Sequence, residues 1–307
     1  MKIICVVYEA IINSFGFTQS KRRINSIFQQ SDATNTRVNK LKTNLDSTSI
    51  KVIDALLYIA SNKDKKVYKS KDVALYSKFY NMNLLHKLYY RLKYKIPFKF
   101  KLLQEVFHHK CGLQFVQQKE LDYLQGKSSI TAGAYFGDSS LVLHDITKAK
   151  VYGFEPNKHN YALFENIIAK NGKEDIIIPI NKGLSKSSGV AYIDDTNMSA
   201  GSKLSTNNLG SKIEVVSIDD FIKENNINNL GLIHLDIEGL ETDVIEGAKS
   251  IIAQHKPILL ISIYHNAQDF FDLKPLIESW NLDYNFKIRK LARNRFELML
   301  ICTPKII

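Results

Sequence analysis

The 307-residue chain is 45% hydrophobic and carries a formal charge of +11, a composition that suits a sizeable core and excludes a disordered or fibrous chain. Its three cysteines, Cys5, Cys111 and Cys302, are odd in number and far apart. That spacing offers neither a disulfide framework nor a Cys-x-x-Cys metal pair and fits a reducing cytoplasm.

The first residues, "MKIICVVYEAIINSFGF", start apolar but are interrupted by Glu9 and lack a small-residue cleavage pattern. Neither a signal peptide nor a membrane span is expected there. Residues 30–49 are rich in Ser, Thr, Asn and Asp with no apolar period, as in a loop or mobile linker, so residues 1–46 are expected to be loosely docked. Residues 47–125 read as a basic, mainly helical accessory region. In it Ile50, Ile53 and Leu57, then Val73, Tyr76, Tyr80, Leu84 and Leu88, recur at three- and four-residue steps. In "YKIPFKFK", Tyr94, Ile96, Phe98 and Phe100 alternate with lysines around Pro97, which predicts an edge strand or extended arm.

Charge divides the chain. Residues 1–125 hold 22 Lys+Arg against 9 Asp+Glu, while residues 126–307 hold 20 against 22. A basic front half points to an acidic partner: a phosphorylated or lipid-linked substrate, an anionic membrane surface, or nucleic acid. A merely solvated surface explains the same charge. "FHHKC", with His108, His109 and Cys111, has no second ligand pair at zinc-site spacing and reads as incidental.

Residues 126–307 read as one α/β domain. From Ser128, short apolar runs alternate with helical patterns: "SSITAG", "KVYGFE", "DIIIPI", "LIHLDIE" and "PILLISIY". Continuous runs such as Ile258 to Ile263 suit parallel strands covered on both faces. Two final runs, "DYNFKIRKLA" and "RFELMLICT", predict an antiparallel hairpin at the sheet edge.

The first strand leads into Gly133, Ala134, Tyr135, Phe136 and Gly137, with a helix cap expected at Asp138 or Ser139. Glu155 follows 22 residues after Gly133, at the end of the next strand, where Pro156 stops it. An acid near that spacing accepts hydrogen bonds from ribose hydroxyls in nucleotide-binding sheets. Bulky Tyr135 and Phe136 disfavour a pyrophosphate, so S-adenosylmethionine, with a ribose and no phosphate, suits the turn better. An ordinary strand-to-helix turn with a surface Glu is the competing explanation.

In "GLIHLDIEGLETDVIEGA", His234, Asp236 and Glu238 alternate with apolar residues, placing three ionisable groups on one strand face. Ligands bind beyond the carboxyl ends of such strands, so Asp236 and Glu238 are substrate-side residues and His234 lies deeper. Glu241 is either a substrate residue or part of an acidic first helical turn. His265 also falls at a strand end, where an imidazole serves as a base near neutral pH. His234, Asp236, Glu238 and His265 offer ligand types for a divalent ion, although their spacing requires none.

With "AGAYFGDSS", "GFEPNKHNYALFENI", "SIDDFI", "HLDIEGLETDVIEGA" and "ISIYHNAQDFFDL" in this order, residues 126–303 resemble the FkbM-type S-adenosylmethionine-dependent methyltransferases. The resemblance implies a Rossmann-like, doubly wound, mostly parallel seven-stranded sheet, and O-methyl transfer to sugars of surface glycans or polyketide-type hydroxyls. It also implies that Thr131, Gly133, Ala134, Gly137, Glu155 and Pro156 surround the cofactor and that Asp236 and Glu238 line the reaction site. The chain departs from the family pattern in having Thr131 where an Asp is usual and His234 where a Lys is usual. The absent acid would ordinarily help hold the methionine end of the cofactor. Asp236, His234 and His265 are the candidate bases. An RNA methyltransferase, read from aromatic and cationic residues interleaved in "KLYYRLKYKIPFKFK", and a catalytically silent binding protein of this fold are the alternatives.

Overall fold

The computed structural model describes residues 31–62, 82–193, 204–205, 210–291 and 297–305. In chain order its helices begin with α1 (Ser31–Lys42), α2 (Ser47–Asn62), α3 (Leu84–Lys93), α4 (Gln104–Phe107) and α5 (Gln118–Tyr123). Then come β1 (Ser128–Ala132), α6 (Asp138–Thr147), β2 (Val151–Phe154), α7 (Lys158–Asn171) and β3 (Ile177–Ile180). The short strands β4 (Gly183–Leu184), β5 (Gly189–Ile193), β6 (Leu204–Ser205) and β7 (Ser211–Val216) precede α8 (Ile218–Glu224) and β8 (Leu230–Leu235). The chain continues through α9 (Glu241–Glu246), α10 (Lys249–His255), β9 (Ile258–Ser262), α11 (Ala267–Ser279), β10 (Tyr284–Lys290) and β11 (Leu298–Pro304).

Seven strands form a mostly parallel sheet in the order β10-β11-β9-β8-β1-β2-β3, with β10 and β11 as the expected C-terminal hairpin. β1 pairs in parallel with β2 and β8, β2 with β3, and β8 with β9. Every residue of β1, β8 and β9 is buried, because helices cover both faces of a parallel sheet. A second sheet, ordered β4-β7-β5-β6, has no counterpart in the sequence reading.

The chain divides into two compact units, Met1–Tyr80 with Ser262–Cys302, and Asn81–Ile261 with Thr303–Ile307. In the first, the polar stretch expected to be a loop is helical: α1 spans most of it. Arg37 forks onto Asp272 of α11 at 2.9 and 2.5 Å, a bidentate pair that fixes the helix where apolar periodicity is absent. The α2 N-terminus is tied to β10, where Ser49 Oγ accepts the Ile288 N–H (2.8 Å) and Arg289 forks onto Asp46 at 3.1 and 2.5 Å. Val52 and Ile53 of α2 are buried. Val73, Tyr76 and Tyr80, like Cys5 and residues 1–30 of the N-terminal segment, lie outside the described residues.

In the second unit the predicted edge strand at Tyr94–Lys101 is absent. After α3 the chain makes two turns, burying Tyr94, Ile96 and Phe100 while Phe98 is 81% exposed. Arg91 accounts for the turns by donating to the carbonyls of Pro97 (2.6 Å) and Phe100 (2.7 Å). Those carbonyls bond a guanidinium in place of a neighbouring strand.

Candidate functional site

Connections from β1 run one way across the sheet to β2 and β3, whereas β8 and β9 lie on the other side of β1. Strand order reverses at β1, and a crevice opens beyond the carboxyl ends at such a point. A narrow cleft with a water-accessible volume of about 40 Å³ lies there, lined by Ala132, Gly133, Glu155, Pro156, Asn160, Lys182, Asp236 and Glu238 among others.

The turn after β1 is built by packing. Asp236 N–H donates to the Ala132 carbonyl (3.1 Å), bringing the end of β8 so close that a Cβ on Gly133 would sit 1.9 Å from the Asp236 carbonyl oxygen. Gly133 also holds φ +76°, and at Gly137, with φ +88°, a Cβ would meet the Phe164 ring at 2.3 Å. Both glycines are therefore demanded by the fold itself. Gly137 is the N-cap of α6 and no side chain caps that helix. Asp138, expected as a cap, is its first residue and accepts the Ser139 N–H (2.9 Å).

Glu155 braces the turn from β2. Its Oε2 accepts the N–H of Tyr135 (2.9 Å) and its Oε1 that of Asn157 (3.0 Å). Tyr135 has φ 49°, a left-handed conformation that a non-glycine residue adopts only when neighbours hold it. Burial pushes the Glu155 carboxyl up to about 7, against the opposing hydrogen bonds from Asn157, Tyr135 and Asn160. Asn157 caps α7 through the His159 and Asn160 amides (2.9 and 3.1 Å). The Asn160 Oδ1 is buried with no hydrogen-bond partner among the described residues, leaving an acceptor at the cleft wall.

Behind the cleft, Thr131 and His234 face each other across β1 and β8 in register. Their Oγ1 and Nδ1 lie 2.9 Å apart, and Ser139 Oγ is 3.3 Å from the same hydroxyl. Both are buried, and burial lowers the His234 pKa, with Asp236 opposing. The imidazole is thus a neutral partner of a hydroxyl inside the sheet, and neither residue lines the cleft.

The alternation read over His234, Asp236 and Glu238 ends with the strand at Leu235. Asp236 continues to the cleft, but Glu238 adopts φ 62° in the loop that follows. Glu241, fully buried, turns back onto that loop, its Oε1 accepting the Ile237 N–H (3.0 Å) and its Oε2 the Gly239 N–H (2.9 Å). Its geometry is that of a loop anchor. His265 belongs to the other unit, where it is buried with its ring centroid 4.1 Å from that of Tyr264.

Two acids escaped the sequence reading. Asp138 is buried, its Oδ2 has no hydrogen-bond partner among the described residues, and burial pushes its carboxyl up to about 7, with Glu105 and Asp236 adding repulsion. Burial likewise raises Glu105, with Asp236 adding to the shift. Asp138 stood visibly at a helix start, where capping hid any other role; Glu105, in "LLQEVF", carried no signal.

Comparison with known proteins agrees with this architecture. Residues 132–294, over half of the chain, match the family model described as Methyltransferase FkbM domain. The fold is similar to that of the methyltransferase FkbM from Methylobacillus flagellatus, with 20% identity and a TM-score of 0.59, covering 88% of this chain and 59% of that one. The chain thus spans less than two thirds of that relative's length. A weaker likeness, with 8% identity and a TM-score of 0.36, is to an O-methyltransferase from Bacillus cereus in complex with SAH, over 74% of this chain and 92% of that one. No curated protein matches.

Proposed function

Because the chain belongs to the FkbM methyltransferase family, we propose that it transfers a methyl group from S-adenosylmethionine to a hydroxyl of a carbohydrate, glycolipid or related surface-glycan precursor, in a reducing cytoplasm. The observation that carries the reading is the strand-end cleft with two acceptors on one wall: the Glu155 carboxyl and the Asn160 Oδ1, which has no partner among the described residues. Those residues fit the hydroxyl and amino donors of a nucleoside. Bound there, S-adenosylmethionine supplies an electrophilic methyl group.

The chain's residues then have to hold the acceptor oxygen in line and receive its proton. Asp236, open to the cleft at the end of β8, is placed for this, with Glu238 on the acceptor side. His234 is a poorer base, since its Nδ1 is engaged by Thr131 and burial depresses its basicity. The acceptor class rests on the resemblance and on the basic front half.

A catalytically silent binding protein is the second reading, favoured by the neutral Thr131–His234 contact where the family pattern carries an acid and a lysine. Calorimetric titration with S-adenosylmethionine and S-adenosylhomocysteine separates the two. Glu155→Gln, which keeps the shape of the side chain, should weaken both nucleosides by about ten- to a hundredfold, the ~1.5–3 kcal/mol of a hydrogen bond to a charged group. Unchanged affinity in a folded variant would remove Glu155 from the cofactor site. No binding by the wild type at millimolar nucleoside would sink the methyltransferase reading.

A further inference from the structure

Helix α3 has no buried residue. It is nonetheless a defined helix, with Asn83 Oδ1 accepting the His86 N–H (2.9 Å) at its start and Arg91 tying its end to the following turns. At 100° per residue, Leu84, Leu88, Leu92, Leu85 and Tyr89 fall within an arc of about 140°. Their exposures include 81% for Leu84, 74% for Leu85 and 71% for Leu92. Tyr90, almost opposite, meets the protein through Tyr94 and Phe107, so the leucine face points outward. Phe98 joins it: exposed in the next turn, its ring lies under the Arg91 guanidinium at 4.8 Å. Exposed apolar side chains grouped this way mark an interaction surface.

The charge around them selects the partner. From Leu84 to Lys101 there are six Lys+Arg and no Asp or Glu. Lys93 is paired with Asp145 (2.6 Å), whereas Lys87 borders the leucine arc and Lys99 flanks Phe98, both exposed. Apolar side chains ringed by lysine match the layering of an anionic bilayer surface, with acyl chains beneath phosphate. A second copy would bring the same positive ring, and residues 63–81, with six Lys against two Asp, would do the same. Leucine also lacks the π-face on which RNA bases stack. At ten residues the helix is too short to span a bilayer, and no described helix is long and apolar enough to cross one.

We propose that α3 and the Phe98 turn form an interfacial anchor that lays this protein on an anionic membrane. The inference stands apart from methyl transfer, since it concerns another surface and is read by partition. The test is co-sedimentation of the full chain with vesicles of phosphatidylglycerol and phosphatidylcholine, and with phosphatidylcholine alone. The wild type should partition onto the anionic vesicles and much less onto the neutral ones. Leu85→Ser with Leu92→Ser should reduce partition by about tenfold or more, and Lys87→Glu with Lys99→Glu should abolish the preference for anionic lipid. Equal partition of wild type and the leucine variant would overturn the proposal, as would no partition of the wild type. A wild-type dimer dissolved by the leucine substitutions would instead assign the face to a second copy. Displacement from vesicles by single-stranded RNA, lost in the leucine variant, would assign it to RNA.

Discussion

Asp138 is an acid whose burial opposes the folded state, and Asp138→Asn tests this. The side chain is buried, Oδ1 accepts the Ser139 N–H, and Oδ2 has no partner among the described residues. Desolvation moves its pKa from 3.8 to about 7. A raised carboxyl pKa means that the folded state holds the proton more tightly than the unfolded chain. The stability that the protonated form retains is fully present below 3.8 and is lost as pH rises through about 7. At ~1.4 kcal/mol per pH unit, the loss between pH ~5 and ~7 is about 2 kcal/mol, and the total is on the order of 4 kcal/mol. Asn keeps the shape and the Ser139 contact but has no proton to lose. Its buried amide adds a cost of about 1–3 kcal/mol that does not vary with pH, so the slope rather than the absolute stability is diagnostic. Glu155 shifts in the same direction but is present in both proteins and cancels. Urea unfolding of wild type and variant across this range should give stabilities that diverge in the variant's favour as pH rises. Parallel curves would show that Asp138 is solvated or paired in solution, and would remove it from the buried acidic group at the end of β1.

Two further substitutions probe the turn and the strand pair. Gly133→Ala should cost several kcal/mol in urea unfolding, because its Cβ would meet the Asp236 carbonyl at 1.9 Å, whereas Gly172→Ala, at φ +63° with nothing within 4 Å, should cost only about 1 kcal/mol; equal costs would mean that β8 does not approach β1 as described. Thr131→Asp should raise the His234 pKa by setting a carboxylate beside its ring, read as a shift of the imidazole resonance in an NMR titration, and should tighten S-adenosylmethionine binding; an unmoved resonance in a folded variant would mean that the Thr131–His234 contact is not made in solution.

The parallel sheet was legible because buried strands are rich in apolar residues: β1, β2, β3 and β9 each fall within a run read from the sequence, and β8 overlaps one, starting two residues before it and ending at Leu235. The small sheet was not. β4 and β6 are two residues each, and β5 begins with exposed Gly189 and Val190, so pairing and not periodicity defines them. Nothing local marks α1 as a helix, because what docks it lies far along the chain, as the Arg37–Asp272 ion pair does, and no local pattern records such a contact. The extended arm was misread for a related reason. Alternation at Tyr94–Phe100 predicts a strand only where a neighbouring strand offers hydrogen bonds, and Arg91 satisfies the carbonyls instead.

At the site, sequence position located the residues and left their roles open. Glu155 and Asp236 do reach one cleft, as strand-end spacing requires, but Glu155 also holds Tyr135 in its strained conformation, so its removal disturbs the turn as well as any ligand contact. Thr131 and His234 read as two separate departures from a family pattern, each a loss. In register across β1 and β8 they are one contact, and a buried hydroxyl–imidazole pair replaces a buried acid and cation without leaving either charge uncompensated in the sheet. The pair therefore stands or falls together, and the acidic groups near the β1 end are Asp138, Asp236 and Glu105, supplied by elements that follow or precede the strand.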